Sequence, residues 1–108
     1  MQKISLDAVG RQVLARAAGA DRAAETVYGG HEKVLRQTVI GLRAGASLSE
    51  HQNPGEATVH VLSGRVRLSA GAASWDGRTG DLIVVPDRRH ALEALEDSVV
   101  LLTVAKLT

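Results

Sequence analysis

The chain has no cysteine and no phenylalanine in 108 residues, and its aromatics are one tyrosine and one tryptophan. The first absence removes disulfide scaffolds, thiolate metal sites and cysteine nucleophiles together. The second forces an aliphatic core of Val, Leu, Ile and Ala, with almost no stacking platform for bases or sugar rings. Charge of one sign is lacking too: thirteen basic against twelve acidic residues leave a formal net charge of +1. Binding to nucleic acid or to a membrane surface needs clustered Lys and Arg, so neither partner is expected. No apolar run approaches the roughly 20 residues of a membrane span, and the first residues lack the apolar stretch of a signal peptide. A cytoplasmic protein is the expectation.

What is present suits one folded domain. Hydrophobic residues make up 44% and charged residues 23%, a mix typical of packed proteins rather than disordered ones. A domain of this length buries only a modest core, so a homodimer is expected, with residues 22–28 a candidate to add a strand to a neighbour's sheet.

Residues 5–18 are predicted to form the one helix. Ser5 is its N-cap, Asp7 complements the dipole in the first turn, and Gly19 ends it. Leu6, Val9, Val13 and Ala17 give it a narrow apolar face without chemistry, the pattern of a lid packed on the remaining fold or on a partner. Beyond residue 22 the pattern changes to short apolar segments broken by glycine. Strands are predicted at 34–42, 58–62, 65–70, 72–76, 81–85, 91–94 and 99–105, with turns at Ser63-Gly64, Gly71 and Asp76-Gly77. In 65–70, Val66 and Leu68 face one way and Arg65 and Arg67 the other, the mark of a half-buried strand. Many short strands at regular spacing predict a sandwich or barrel, not βαβ units. The chain divides into a helix and lead-in strand over 1–33 and a barrel over 34–108, one structural domain in all.

Residues 45–64 read GASLSEHQNPGEATVHVLSG, and residues 80–90 read GDLIVVPDRRH. The first resembles the opening cupin motif, with Gly45, His51 and Gly64 at matching positions. The second resembles the closing cupin motif through Gly80 and Pro86, with His90 one residue early. The resemblance spans residues 34–105. It implies an all-β fold, a double-stranded β-helix (cupin) barrel with one short N-terminal helix. In metal-binding cupins these motifs bring three histidines and a glutamate to one ion. Here His51 holds the first ligand position and Asn53 the second. The glutamate position falls on Ala57 with Glu56 beside it, His90 is displaced, and Arg88 replaces a motif glycine.

The ligand set that the resemblance implies is therefore His51, Asn53, Glu56 and His90 around a divalent ion, Zn, Fe, Ni or Cu. An amide oxygen is a poorer ligand than imidazole, so this set is under-provided unless Glu56, near the Pro54-Gly55 turn, escapes strand parity and reaches inward. The other reading is a pocket without metal, in which His51 and His90 are hydrogen-bonded polar residues at a barrel mouth.

Further candidates carry less. Parity puts His60 on the strand face opposite Ala57, and His31 sits in a loop without a partner in the pattern. Trp75 reads as a core or rim anchor, and Arg88 with Arg89 as solvated surface. Glu93 and Glu96 lie near enough to His90 in sequence to be weighed as a general base. Two functions follow from the resemblance. One is a cupin that binds a small molecule in the barrel, with a divalent metal at His51 and His90 as an option. The other is a metal-dependent enzyme of dioxygenase or isomerase type.

Overall fold

Ser5 starts the helix as its sequence predicts. In the computed structural model, which describes residues 2–51 and 55–106, its Oγ accepts a hydrogen bond from the Ala8 amide at 3.2 Å and caps α1 (Leu6–Arg16). Asp7 pairs with Arg11 one turn on, and Arg16 sits in the last turn, each sign matching the helix dipole. A single 3₁₀ turn, Ala17–Gly19, follows before the first strand.

The strands among the described residues are β1 (Arg22–Tyr28), β2 (Leu35–Leu42), β3 (Ser47–His51), β4 (Gly55–Ser63), β5 (Arg65–Ala70), β6 (Ala73–Arg78), β7 (Leu82–Val84), β8 (His90–Ala94) and β9 (Ser98–Lys106). They form a five-stranded sheet in the order β1-β2-β9-β4-β7 and a four-stranded sheet in the order β3-β8-β5-β6. Among the described residues the two sheets face each other without joining into one hydrogen-bonded ring, an open double-sheet form of the expected cupin barrel. The segment weighed as reaching a neighbour's sheet, β1, pairs antiparallel with β2 of its own chain and is the edge strand of the five-stranded sheet.

Alternation builds the core. Ala57, Val59 and Val61 of β4 are buried, while Glu56, Thr58, His60 and Leu62 lie on the other face. Val66, Leu68 and Ala70 of β5 and Leu92 and Ala94 of β8 are buried from the opposite sheet. These residues meet Ile40, Leu42, Val100 and Val104 between the sheets. Each fully buried Val or Leu contributes roughly 1.5–3 kcal/mol, which is how an aliphatic core holds without phenylalanine.

Helix α1 covers part of the outer face of the five-stranded sheet. Its Val13 packs with Val39, Val99 and Leu101, joined by Leu6, Val9, Leu14 and Leu62. This second core needs Gly41. A Cβ there would stand 2.7 Å from the Leu14 amide nitrogen and 2.8 Å from the Val13 carbonyl carbon, so the helix backbone rests directly on β2.

Candidate functional site

The sandwich has two ends. At one lie the last residue of β3, the first residues of β4 and β8, and the turn 86–89. There the β3–β8 ladder is irregular: Leu48 pairs with Leu92 and His51 with His90, three residues of β3 against two of β8. Without this bulge, strand parity would set Leu48 and His51 on opposite faces. With it, both positions oppose core-facing residues of β8. The backbone register thus brings His51 and His90, residues far apart in sequence, directly across from each other.

His90 is 5% exposed, one of two buried polar or charged residues among those described. Its Nδ1 lies 2.9 Å from the Arg88 carbonyl oxygen. A carbonyl only accepts, so Nδ1 carries the proton and donates to it. Arg88 holds this geometry. Its guanidinium donates to the Ala70 carbonyl at 3.0 Å, and its amide donates to the Pro86 carbonyl at 2.9 Å, tying the turn to the end of β5. Arg88 is exposed, as its reading as solvated charge expects, and it also anchors the turn whose carbonyl bonds His90. The absence of the motif glycine at position 88, noted from the sequence, was the signal.

Next to His90 the two sheets enclose a cavity of ≈ 20 Å³ lined by aliphatic side chains, among them Ile40, Leu48, Val59, Leu68 and Leu92. His90 is the one polar residue of that lining. The space suits a single water molecule or ion and is too small for an organic molecule.

The other sequence-predicted ligands divide. Asn53 lies outside the described residues. Glu56 does not escape strand parity: β4 starts at Gly55, Glu56 pairs with Ala105, and its side chain is exposed on the face turned from the core. The neighbour that does face inward is Ala57, which is buried in the core and ligates nothing. Among the described residues, no three His, Asp or Glu side chains gather closely enough to hold an ion. The described donors therefore do not fit the three-histidine, one-glutamate set. What they offer is one buried imidazole bonded through Nδ1 to a carbonyl, with His51 paired to it along the backbone ladder.

The remaining candidates lie elsewhere. His60 is on the outer face, His31 is exposed in a turn, and Trp75 is 44% exposed on the edge strand β6. Glu93 is exposed on the outer face of β8, and Glu96 belongs to the turn at the far end of that strand from His90. Neither is placed to act as a base at His90. No helix of the described residues is long and apolar enough to cross a membrane.

Comparison with known proteins agrees with this architecture. Residues 38–105 match the cupin domain family. A Streptococcus pyogenes protein of unknown function is 31% identical, with a TM-score of 0.74 over 82% of this chain and 78% of its own. An RmlC-like cupin protein from Desulfovibrio desulfuricans is 25% identical, with a TM-score of 0.70 over 81% of this chain and 84% of its own. A cupin superfamily protein from Desulfitobacterium hafniense shares the fold at 16% identity, with a TM-score of 0.75 over 82% and 80% of the two chains. No curated protein matches the chain. The two facing antiparallel sheets, the turn glycines, Pro86 and the match over residues 38–105 lead to one assignment: the chain belongs to the cupin family.

Proposed function

We propose that the chain binds a small ligand at the end of the sandwich that carries His51 and His90, with His90 as the polar anchor. The observation that carries this reading is the burial of one oriented imidazole in an otherwise aliphatic lining. The small cavity admits only the tip of a ligand. The body of the ligand must then rest at the mouth, where His51 sits opposite.

A divalent ion is the second reading, favoured by the pairing of His51 with His90 across the β3–β8 ladder. The ion would be held by His51 and His90 with Asn53, and a metal-dependent dioxygenase or isomerase activity would rest on it. Such an ion would supply Lewis acidity or redox chemistry, while His90 and the Arg88 turn would set its position. We also infer a cytoplasmic homodimer, on the cysteine-free composition and the modest core.

The test is thermal shift of the untagged protein and of His90→Leu against divalent metals and a panel of small metabolites, with elemental analysis of both. A ligand of the native state raises Tm in the wild type and not in the variant. Shifts confined to metals, with near-stoichiometric metal lost in His90→Leu, select the second reading. Equal shifts in both proteins would sink the assignment of the site to His90.

A further inference from the structure

In the antiparallel pair of β5 with β6, Arg65 stands directly opposite Arg78. Two cations facing across a ladder lie about 5 Å apart at Cβ and repel one another unless an anion comes between them. Two residues along the same face, Arg67 opposite Asp76 is well supplied, donating to both carboxylate oxygens at 2.7 Å and 3.2 Å. Arg65 shares what is left of that carboxylate through one contact from Nη2 at 3.3 Å, and its buried Nε has no hydrogen-bond partner. The ion pairs among the described residues use neither Arg78 nor Glu96. Asp81, in the turn after Arg78, is engaged by the Arg78 backbone amide at 2.8 Å. These undersupplied groups meet in one place. At the end of the sandwich away from His90, an open pocket of ≈ 270 Å³ is lined by Gly64, Arg65, Arg78, Thr79 and Glu96. Thr79 Oγ1 accepts from the Gly64 amide at 3.1 Å, so its own proton is left to donate. The pocket thus gathers two guanidiniums and a hydroxyl that donate, and one carboxylate that accepts.

We propose that this pocket binds a small amino acid, with its carboxylate on Arg65, Arg78 and the Thr79 hydroxyl and its ammonium on Glu96. The site is separate from the one at His90 and does not depend on that reading. The class of ligand follows from charge. A plain carboxylate or phosphate would meet both guanidiniums but would also bring its negative charge against Glu96, and a plain amine would face two cations. A zwitterion sets each of its charges against an opposite one. The planar fork of a guanidinium matches the two oxygens of a carboxylate, which suits arginine to that end of the ligand. Two positive charges against one negative leave the lining at +1, so a ligand with a second carboxylate balances it fully. An acidic amino acid therefore binds more tightly than a neutral one. Among the described residues no Val, Leu, Ile or aromatic side chain lines the pocket, so a large apolar side chain on the ligand gains little there.

Amide NMR titration of the full chain at low salt, with L-aspartate, L-alanine, acetate and inorganic phosphate as probes, tests the proposal. L-Aspartate is expected to bind most tightly and to shift the amides of Thr79 and Glu96. L-Alanine is expected to bind about tenfold more weakly, and acetate and phosphate about tenfold more weakly again. Arg78→Ala changes an exposed head group and is expected to raise the L-aspartate dissociation constant at least about tenfold, because a charge-assisted contact is lost. Glu96→Gln separates a zwitterion site from a plain anion site. It is expected to weaken both amino acids about tenfold and to strengthen acetate and phosphate, since the opposing carboxylate is gone. Lys33→Ala, the same loss of charge at an exposed position between β1 and β2, is expected to leave all four affinities unchanged. Circular dichroism of each variant is expected to match the wild type. Acetate or phosphate binding as tightly as L-aspartate overturns the zwitterion assignment. Amino-acid binding that survives both Arg78→Ala and Glu96→Gln overturns the pocket, and no shift with any probe up to about 10 mM overturns the proposal outright.

Discussion

The two ends of the sandwich are built on opposite principles. At the end away from His90, side chains and backbone of neighbouring strands are tied to one another. Ser98 is fully buried, and its hydroxyl accepts from the Arg65 amide at 3.0 Å and faces the carbonyls of Glu96 at 2.8 Å and Arg65 at 3.1 Å. Asp97 accepts from the Ala44 amide and from Arg43, both at 2.9 Å. Gly45 donates to the Ala94 carbonyl and Ala94 to that of Ala46, stitching the start of β3 to the end of β8. At the other end the same two strands shift register between Leu48 and His51, and the buried His90 imidazole bonds the Arg88 carbonyl of the preceding turn. The lesson is a division of labour: one end of the ladder fixes the register, and the other shifts it so that His51 pairs with His90 along the backbone. Stability experiments should therefore respond to the first end and binding at His90 to the second.

Gly64 is where the closed end is most easily broken. Its φ is +89°, and a Cβ there would run into Ser98 Oγ and the Asp97 carbonyl and stand 2.8 Å from Ser98 Cα. Both the backbone and the neighbouring strand would have to move. Gly64→Ala is expected to cost about 3–5 kcal/mol in urea unfolding, enough to unfold a marginal domain. A loss under about 1 kcal/mol would mean that this end is looser than its contacts indicate. Ser98→Ala comes next. It strands the Arg65 amide and the facing carbonyls in a dry site, which should cost about 1–3 kcal/mol with no change in m-value.

Asp97 tests the same end through pH. The Ala44 amide, and then Arg43, hold its carboxyl below the usual carboxylate range. A carboxyl depressed in the folded state binds fewer protons than in the unfolded chain, so its contribution is complete above about pH 4. It is lost as pH falls through the lower folded-state value. Wild type should therefore lose Tm between about pH 4 and pH 2 more steeply than Asp97→Asn, which has no proton to take up there. Parallel curves would show that the clasp adds nothing.

Much of this was readable in the sequence where a period and a turn residue coincide. The β5 strand appears at the predicted residues, and β2, β4 and β9 within a few residues at each end, because alternating Val, Leu and Ile have one way to face a core. The helix cap at Ser5 was legible for the same reason. Strand β3 was not: Ser-Leu-Ser-Glu-His contains one aliphatic residue, and its pairing comes from β8, a partner distant in the chain. Of the site, His90 could be named from a motif, but its tautomer depends on a carbonyl that Arg88 positions by bonding to β5, a contact no local pattern encodes. Glu56 shows the reverse. Its nearness to Pro54-Gly55 in sequence left its direction open, and the pairing of Gly55 with Lys106 settles it outward.

The smallest stability effect is expected at the end where the largest binding effect is expected. His90→Leu replaces a buried imidazole by an aliphatic side chain of similar size, in a lining that is otherwise aliphatic. The imidazole's hydrogen bond to the Arg88 carbonyl is lost, and Arg88 is an exposed residue, so water can take the vacated position there. Loss of the bond and gain of apolar contact are each about 1 kcal/mol and of opposite sign, so the net change should lie within about 1 kcal/mol of zero. Functional polar groups in apolar surroundings often cost stability, and a slight gain in Tm would fit that pattern. If His90→Leu instead destabilises the protein as much as Ser98→Ala, the imidazole is a structural member of the fold, and the contrast between the two ends collapses.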